Sequence, residues 1–352
     1  MQEIAIDPGV AAAVRDFKVP DSLGFGVVNA PVMYSAEWRD GHWHRGRLLP
    51  HGPIAIWPGA RGLQYAETVF EGLKAYRVGQ ARPNLFRWRS NFQRLGDSAR
   101  RLSMPAVPEW HFLGGIESVV RACAEHIPGR SGQSLYLRPF LFGSENGFLL
   151  RNSEAFRFMV IASPVESYAS GAPTVAIERS DVRAVNGGIG AVKAAANYAA
   201  AFRASAAAGA RGQPLTLWLD AESHSRIQEL SGMNFFAVID GALHTPELDG
   251  SVLPGITRDS LIVLARHLGY TVCELPMTIG ALAQQIRTGQ CTEIFACGTA
   301  AIVMPIAALV ETDGTEYRPA CCNDTSATLR QALLAIQECT APDPFGWTHA
   351  VE

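Results

Sequence analysis

A chain of 352 residues is longer than one hydrophobic core usually organises, so two domains are expected. Hydrophobic residues make up 48% and charged residues 18%, enough to fill such cores, which excludes extensive disorder. A formal net charge of -3 with no basic cluster excludes an electrostatic case for nucleic acid or an anionic membrane surface.

The seven cysteines, Cys123, Cys273, Cys291, Cys297, Cys321, Cys322 and Cys339, are scattered and odd in number. They fit unpaired thiols in a reducing cytoplasm better than a disulfide framework. No C-x-x-C spacing supports a metal or redox site. Residues 1–10 lack the basic start and apolar core of a signal peptide, and no apolar run reaches membrane-spanning length. The expectation is a soluble, cytoplasmic protein.

In chain order, residues 10–14 predict a helix before Pro20, and the alternation over 25–38 and 41–49 around Arg39-Asp40-Gly41 predicts a hairpin. Residues 54–57, closed by Pro58-Gly59, read as a short strand. Residues 63–72 read as a short helix followed by a strand, with Tyr65 and Phe70 suited either to a core or to a small-molecule pocket. Ser90, with Gln93 three residues on, has the pattern of a capping box for a helix through Leu102. A second amphipathic helix spans 109–124. Residues 134–142 form an apolar strand carrying one charge, Arg138, which needs an anionic partner in the protein or on a ligand. After a strand at 156–162, the Pro-, Gly- and Ser-rich stretch 163–173 reads as a linker.

Strands are then expected at 174–177, 214–219, 227–238, 270–275 and 293–297, and helices at 198–208, 260–268, 279–287 and 325–339. Leu253-Pro254-Gly255 feeding a helix, and the turn Gly298-Thr299-Ala300, each expose backbone amides suited to an anion, although ordinary loop junctions look the same.

Only three lysines, Lys18, Lys74 and Lys193, stand against 27 arginines. Lys193 lies in Gly187-Gly188-Ile189-Gly190-Ala191-Val192-Lys193-Ala194-Ala195-Ala196-Asn197-Tyr198, with glycines before it and alanines after it. Small neighbours leave room for a flat ligand, and a desolvated amine suits Schiff-base chemistry on a carbonyl. On these residues alone, a surface lysine in an Ala-rich helix remains the alternative.

Six ordered motifs bear on that choice: 63–77 (LQYAETVFEGLKAYR), 98–105 (SARRLSMP), 135–142 (LYLRPFLF), 182–199 (VRAVNGGIGAVKAAANYA), 253–261 (LPGITRDSL) and 295–301 (FACGTAA). Together they resemble the class IV aminotransferases, most closely those acting on branched-chain amino acids, over about residues 25–347. The resemblance implies an α/β (α+β) chain of the type IV fold dependent on pyridoxal 5'-phosphate (PLP), in two domains. The expected boundaries are a small α+β domain over 1–163, a linker over 164–176 and a large PLP-binding domain over 177–352.

It implies Lys193 as the catalytic, cofactor-bearing lysine. Glu229 is then the partner of the pyridine nitrogen, Tyr198 that of the phenolic oxygen, and Arg94, Ile256, Thr257 and Thr299 the phosphate site. Substrate contacts fall to Phe25, Tyr65, Phe70, Tyr136, Arg138, Tyr168, Thr299 and Ala300. The implied reaction moves the amino group of Leu, Ile or Val to 2-oxoglutarate, in a homodimer, within branched-chain amino acid biosynthesis. Small-molecule amino acids and 2-oxo acids are the partners. Asn29 stands where the family has an aromatic residue, Pro31 follows it, and Ala195-Ala196-Asn197 replaces Gly-Gly-Asn. The C-x-x-C switch of some members is absent, with Ala301 and Met304 in its place. These departures leave a specialised nonproteinogenic or aromatic amino acid as the alternative substrate, with a lyase or D-amino-acid enzyme of the same fold as a further rival.

Overall fold

The computed structural model describes residues 4–166, 171–320 and 324–352. The chain divides into two compact units: one of Met1–Tyr168, Lys193–Ala196 and Ala335–Glu352, the other of Ala169–Val192 and Asn197–Leu334. Strand Phe156–Val165 runs into the stretch expected as a linker, and strand Thr174–Ile177 begins within it.

The first unit is built on a ten-stranded sheet. Strand Ser134–Gly143 lies at its centre, antiparallel to Phe156–Val165 on one side and to Leu73–Tyr76 and Thr68–Phe70 on the other. The hairpin at Asp40-Gly41 forms as expected: Arg39 pairs with His42, and both turn residues have positive φ, as a two-residue turn of the favoured hand requires. Pro31 falls immediately before strand Val32–Arg39, where its missing N–H costs no ladder bond.

Helix Glu109–Ala122 packs on the sheet. Tyr34 from the sheet reaches the helix, its hydroxyl 2.5 Å from His111 Nδ1, and Phe112 and Phe158 bring their ring centres to 6.3 Å. Both Tyr34 and His111 are fully buried.

Four local expectations fail in this unit, the first being residues 25–31, which form no strand because the hairpin strand begins at Val32. Residues 54–57 form no strand. The helix near Tyr65 spans only Arg61–Gln64, because the chain turns through Ala66 at φ 51° into strand Thr68–Phe70. Helix Trp88–Arg101 starts two residues before Ser90, after Arg87 in the left-handed region, so Ser90 is a first-turn residue rather than the cap.

The second unit contains two five-stranded sheets. Leu215–Leu219 and Asn234–Ile239 are buried at every position, which explains why they are apolar apart from Thr216 and Asn234. Their core includes Val175, Leu217, Leu230, Phe235, Ile294 and Leu309. The helix expected over 198–208 is two pieces, Ala196–Ala199 and Phe202–Ala210.

Adjacent glycines in helix Glu109–Ala122 give a test of the Tyr34 packing. A Cβ at Gly115 lies 2.7 Å from the Tyr34 ring, whereas one at Gly114 meets only Ile4 at 3.6 Å. Gly115→Ala is expected to lower unfolding free energy by about 1–3 kcal/mol through overpacking. Gly114→Ala should raise it by roughly 0.5–1 kcal/mol through helix propensity. Urea unfolding of both variants checks the opposite signs.

Candidate active site

The lysine sits on a segment fastened to the first unit. Ala195 N–H donates to the Thr68 carbonyl at 2.9 Å and Phe70 N–H donates to the Lys193 carbonyl at 3.0 Å. Val69 and Ala194 pair between them as an antiparallel bridge. The Lys193 N–H donates to Ser98 Oγ at 3.0 Å. In this extended geometry successive side chains point to opposite sides, so Ala194 is buried completely while Lys193 projects the other way. Its Nζ lies 4.9 Å from the centre of the Phe70 ring.

Helix Trp88–Arg101 faces the same strands with a polar stripe, Asn91, Arg94 and Ser98, at helical spacing and buried. Arg94 donates through Nε and Nη2 to the two oxygens of Glu71 at 2.7 and 2.8 Å, and Asn91 Nδ2 donates to Glu71 Oε2 at 2.7 Å. Glu71 is fully buried. This carboxylate is a site residue that pattern reading missed, although an acid inside the apolar run 68–76 is itself the signal that a buried cation lies nearby.

Four of the expected substrate residues gather beside the lysine. Phe25 meets Tyr136 edge-on at 5.0 Å. The Arg138 guanidinium lies 4.6 Å from the Phe70 ring centre and 5.4 Å from that of Tyr136, and donates to the Tyr136 hydroxyl at 3.0 Å. Arg138 Nε is buried without a hydrogen-bond partner among the described residues. Gly72 makes this packing fit, since a Cβ there lies 2.2 Å from the Tyr136 hydroxyl. Tyr65 stands apart, exposed, and donates to the Phe148 carbonyl at 3.0 Å. Tyr168 lies outside the described residues.

The second unit carries the other expected residues. Glu229, on strand Ile227–Leu230, is buried, and its Oε2 accepts from Asn234 Nδ2 at 3.1 Å and from the Leu253 N–H at 3.2 Å. Arg183 Nη2 lies 3.1 Å from its Oε1. Helix Ile256–His267 begins after Gly255 with no side-chain cap, so the Ile256 and Thr257 amides belong to its unpaired first turn. Gly255 is required, because a Cβ lies 1.9 Å from Asn234 Oδ1. Thr299 and Ala300 lie in the three-residue turn, 299–301, between strands Cys291–Gly298 and Ile302–Pro305. Ile302 closes that turn at φ 64°, a strained conformation for a β-branched residue. In the lysine loop, Gly187 has φ 76°. Tyr198 lies on helix Ala196–Ala199, half-buried.

Comparison with known proteins places these features in a family context. The model for amino-transferase class IV matches residues 68–309. A branched-chain-amino-acid aminotransferase of Mycobacterium tuberculosis (strain CDC 1551 / Oshkosh) is 41% identical, over 92% of this chain and 91% of its own. The T.th. branched-chain amino acid aminotransferase, solved with N-(5'-phosphopyridoxyl)-L-glutamate, superposes with a TM-score of 0.72 at 29% identity, covering 90% of this chain and 98% of that one. The branched-chain aminotransferase of Thermoproteus uzoniensis, solved with norvaline, gives 0.75 at 26% identity, with coverage of 90% and 99%.

The buried Glu71–Arg94 pair has a measurable consequence. Glu71→Ala strands the guanidinium without this counter-charge and is expected to destabilise by about 3–5 kcal/mol. A double variant, Glu71→Leu with Arg94→Met, should lose less than the single variant. Denaturant midpoints of the two decide it.

Proposed function

We propose, because this chain belongs to the amino-transferase class IV family, that it transfers the amino group of leucine, isoleucine or valine to 2-oxoglutarate, giving the branched 2-oxo acid and glutamate. The observation that carries the substrate reading is the wall of Phe25, Phe70 and Tyr136 with one guanidinium set into it, whose Nε is buried without a partner among the described residues. Aromatic faces accept an aliphatic side chain, and Arg138 supplies a donor for the second carboxylate of glutamate or 2-oxoglutarate. The named relatives do not favour the specialised-substrate alternative.

The residues present fit pyridoxal 5'-phosphate. An uncapped helix start, with a glycine that Asn234 leaves no room to replace, suits a phosphate. Arg94, the Ile256 and Thr257 amides and the Thr299 hydroxyl would hold that phosphate, Tyr198 the phenolic oxygen and Glu229 the ring nitrogen. When bound, the cofactor supplies a carbonyl for the amino group and a ring that takes up the electrons released at the substrate Cα.

Lys193 would carry the cofactor through its Nζ and would serve as the base that moves the proton at the substrate Cα. The Thr299 and Ala300 amides receive the α-carboxylate. Phe25, Phe70 and Tyr136 keep water from the reacting carbon, while Arg138 orients the acidic co-substrate. One side-chain wall thus serves both halves of a ping-pong reaction.

The assembly proposed is a cytoplasmic homodimer. It is supported by an exposed apolar surface on the first unit, comprising Trp57, Leu63, Phe148, Leu149 and Leu150, beside which Tyr65 is anchored through Phe148. Among the described residues no helix is long and apolar enough to cross a membrane.

Lys193→Ala is expected to lower kcat by at least about 10³-fold, within the range for loss of a general base. Arg138→Met should raise KM for 2-oxoglutarate about tenfold, as for loss of a charge-assisted hydrogen bond, and change KM for leucine much less. Steady-state kinetics with both substrates varied checks the split. Equal changes for leucine and 2-oxoglutarate would contradict the role given to Arg138.

A further inference from the structure

We infer that Arg183 is a positioning residue that locks the Glu229 carboxylate and the turn at 251–255 into one frame for the cofactor ring; the inference rests on the reading of Glu229 as the ring-nitrogen partner. Arg183 lies ten residues before Lys193, and its side chain and that of Glu229 are 7% and 6% exposed. Its Nη2 is 3.1 Å from Glu229 Oε1 and also donates to the Ser251 carbonyl. The other carboxylate oxygen is held by Asn234 Nδ2 and the Leu253 N–H. Donors therefore grip Glu229 at both oxygens, and rotation about its last bond breaks all of these contacts together.

The same guanidinium ties the carboxylate to its surroundings. Ser251 is itself fixed: its hydroxyl accepts from Gln228 Nε2 at 2.7 Å and donates to Asp249 Oδ1 at 2.6 Å. The glycine-rich loop rests on the carbonyl that Arg183 grips, since a Cβ at Gly190 lies 2.4 Å from Ser251 O and 2.5 Å from Ala184 Cβ. Asn234 donates to the Leu253 carbonyl as well as to Glu229, and its Oδ1 lies against Gly255, the residue that opens helix Ile256–His267. Arg183 thus connects the approach to the lysine, the ring-partner carboxylate and the approach to the helix start. Both acceptors lie on Nη2, whose two N–H bonds the planar guanidinium holds in fixed directions; a lysine offers the charge on a freely rotating ammonium.

The test uses holoenzyme reconstituted with PLP carrying ¹⁵N at the ring nitrogen, for wild type, Arg183→Met, Arg183→Lys and Glu229→Gln. The readouts are the ¹⁵N chemical shift and the apparent Kd for PLP from absorbance titration. Arg183→Met is expected to move the ring signal toward the unprotonated position and raise Kd about tenfold, the size of one lost hydrogen bond to a charged group. Arg183→Lys should move both in the same direction by less. A stability role alone would lower the melting temperature and leave the ring signal in place. The inference is overturned if Arg183→Met, or Arg183→Lys where the methionine variant does not fold, leaves signal and Kd unchanged while Glu229→Gln shifts them. If Glu229→Gln also leaves both unchanged, the reading of Glu229 fails and the inference falls with it.

Discussion

The backbone pairing of residues 193–195 with strand Thr68–Phe70 is the constraint on which the rest depends. Two backbone hydrogen bonds and the Ser98 hydroxyl hold Lys193 to a sheet, and the residues that flank the short segment Lys193–Ala196 on both sides belong to the other unit. Each bond contributes only about 1 kcal/mol net, so their effect is geometric more than energetic. They set the direction of the lysine side chain, and they leave Ala194 fully buried where it pairs with Val69. Of the three alanines only Ala194 is fully buried by this pairing; Ala195 and Ala196 are half-buried.

The same economy of placement appears in helix Trp88–Arg101. Its buried stripe gives Ser98 to the lysine backbone, Arg94 to Glu71, and Asn91 to Glu71 and the Gly72 carbonyl. Strand Thr68–Phe70 and Gly72 are therefore braced from one side by hydrogen bonds while Tyr136 and Arg138 crowd them from the other. A half-exposed pocket wall built on such a strand keeps its shape because its polar supports are buried and paired.

Features governed by neighbouring residues were legible in the sequence. Asp40-Gly41 announced its turn, alternation marked the strands that flank it, and Pro254-Gly255 marked a helix start. Local rules failed where tertiary contacts chose differently: Arg87 takes the left-handed position that starts the helix before Ser90, and residues 54–57 satisfy strand propensity without a partner strand among the described residues. The helix after Tyr198 divides although alanine favours continuity. Site residues carried by motifs could be named, but their partners were hidden by distance along the chain. Glu71 and Arg94 are 23 residues apart, and Arg183 and Glu229 meet only because the strand and the lysine loop fold back on a common turn. Arg138 was recognisable as a charge in an apolar strand; its stacking between two rings was not.

The most direct measurement follows from the scarcity of lysine. Borohydride reduction of the protein loaded with pyridoxal 5'-phosphate, followed by peptide mass spectrometry, distinguishes the three candidates Lys18, Lys74 and Lys193. Expected is one phosphopyridoxyl group per chain, on the peptide containing Lys193. Label on Lys74 or Lys18, or none on any of the three, would contradict the assignment of Lys193 as the residue around which the site is built.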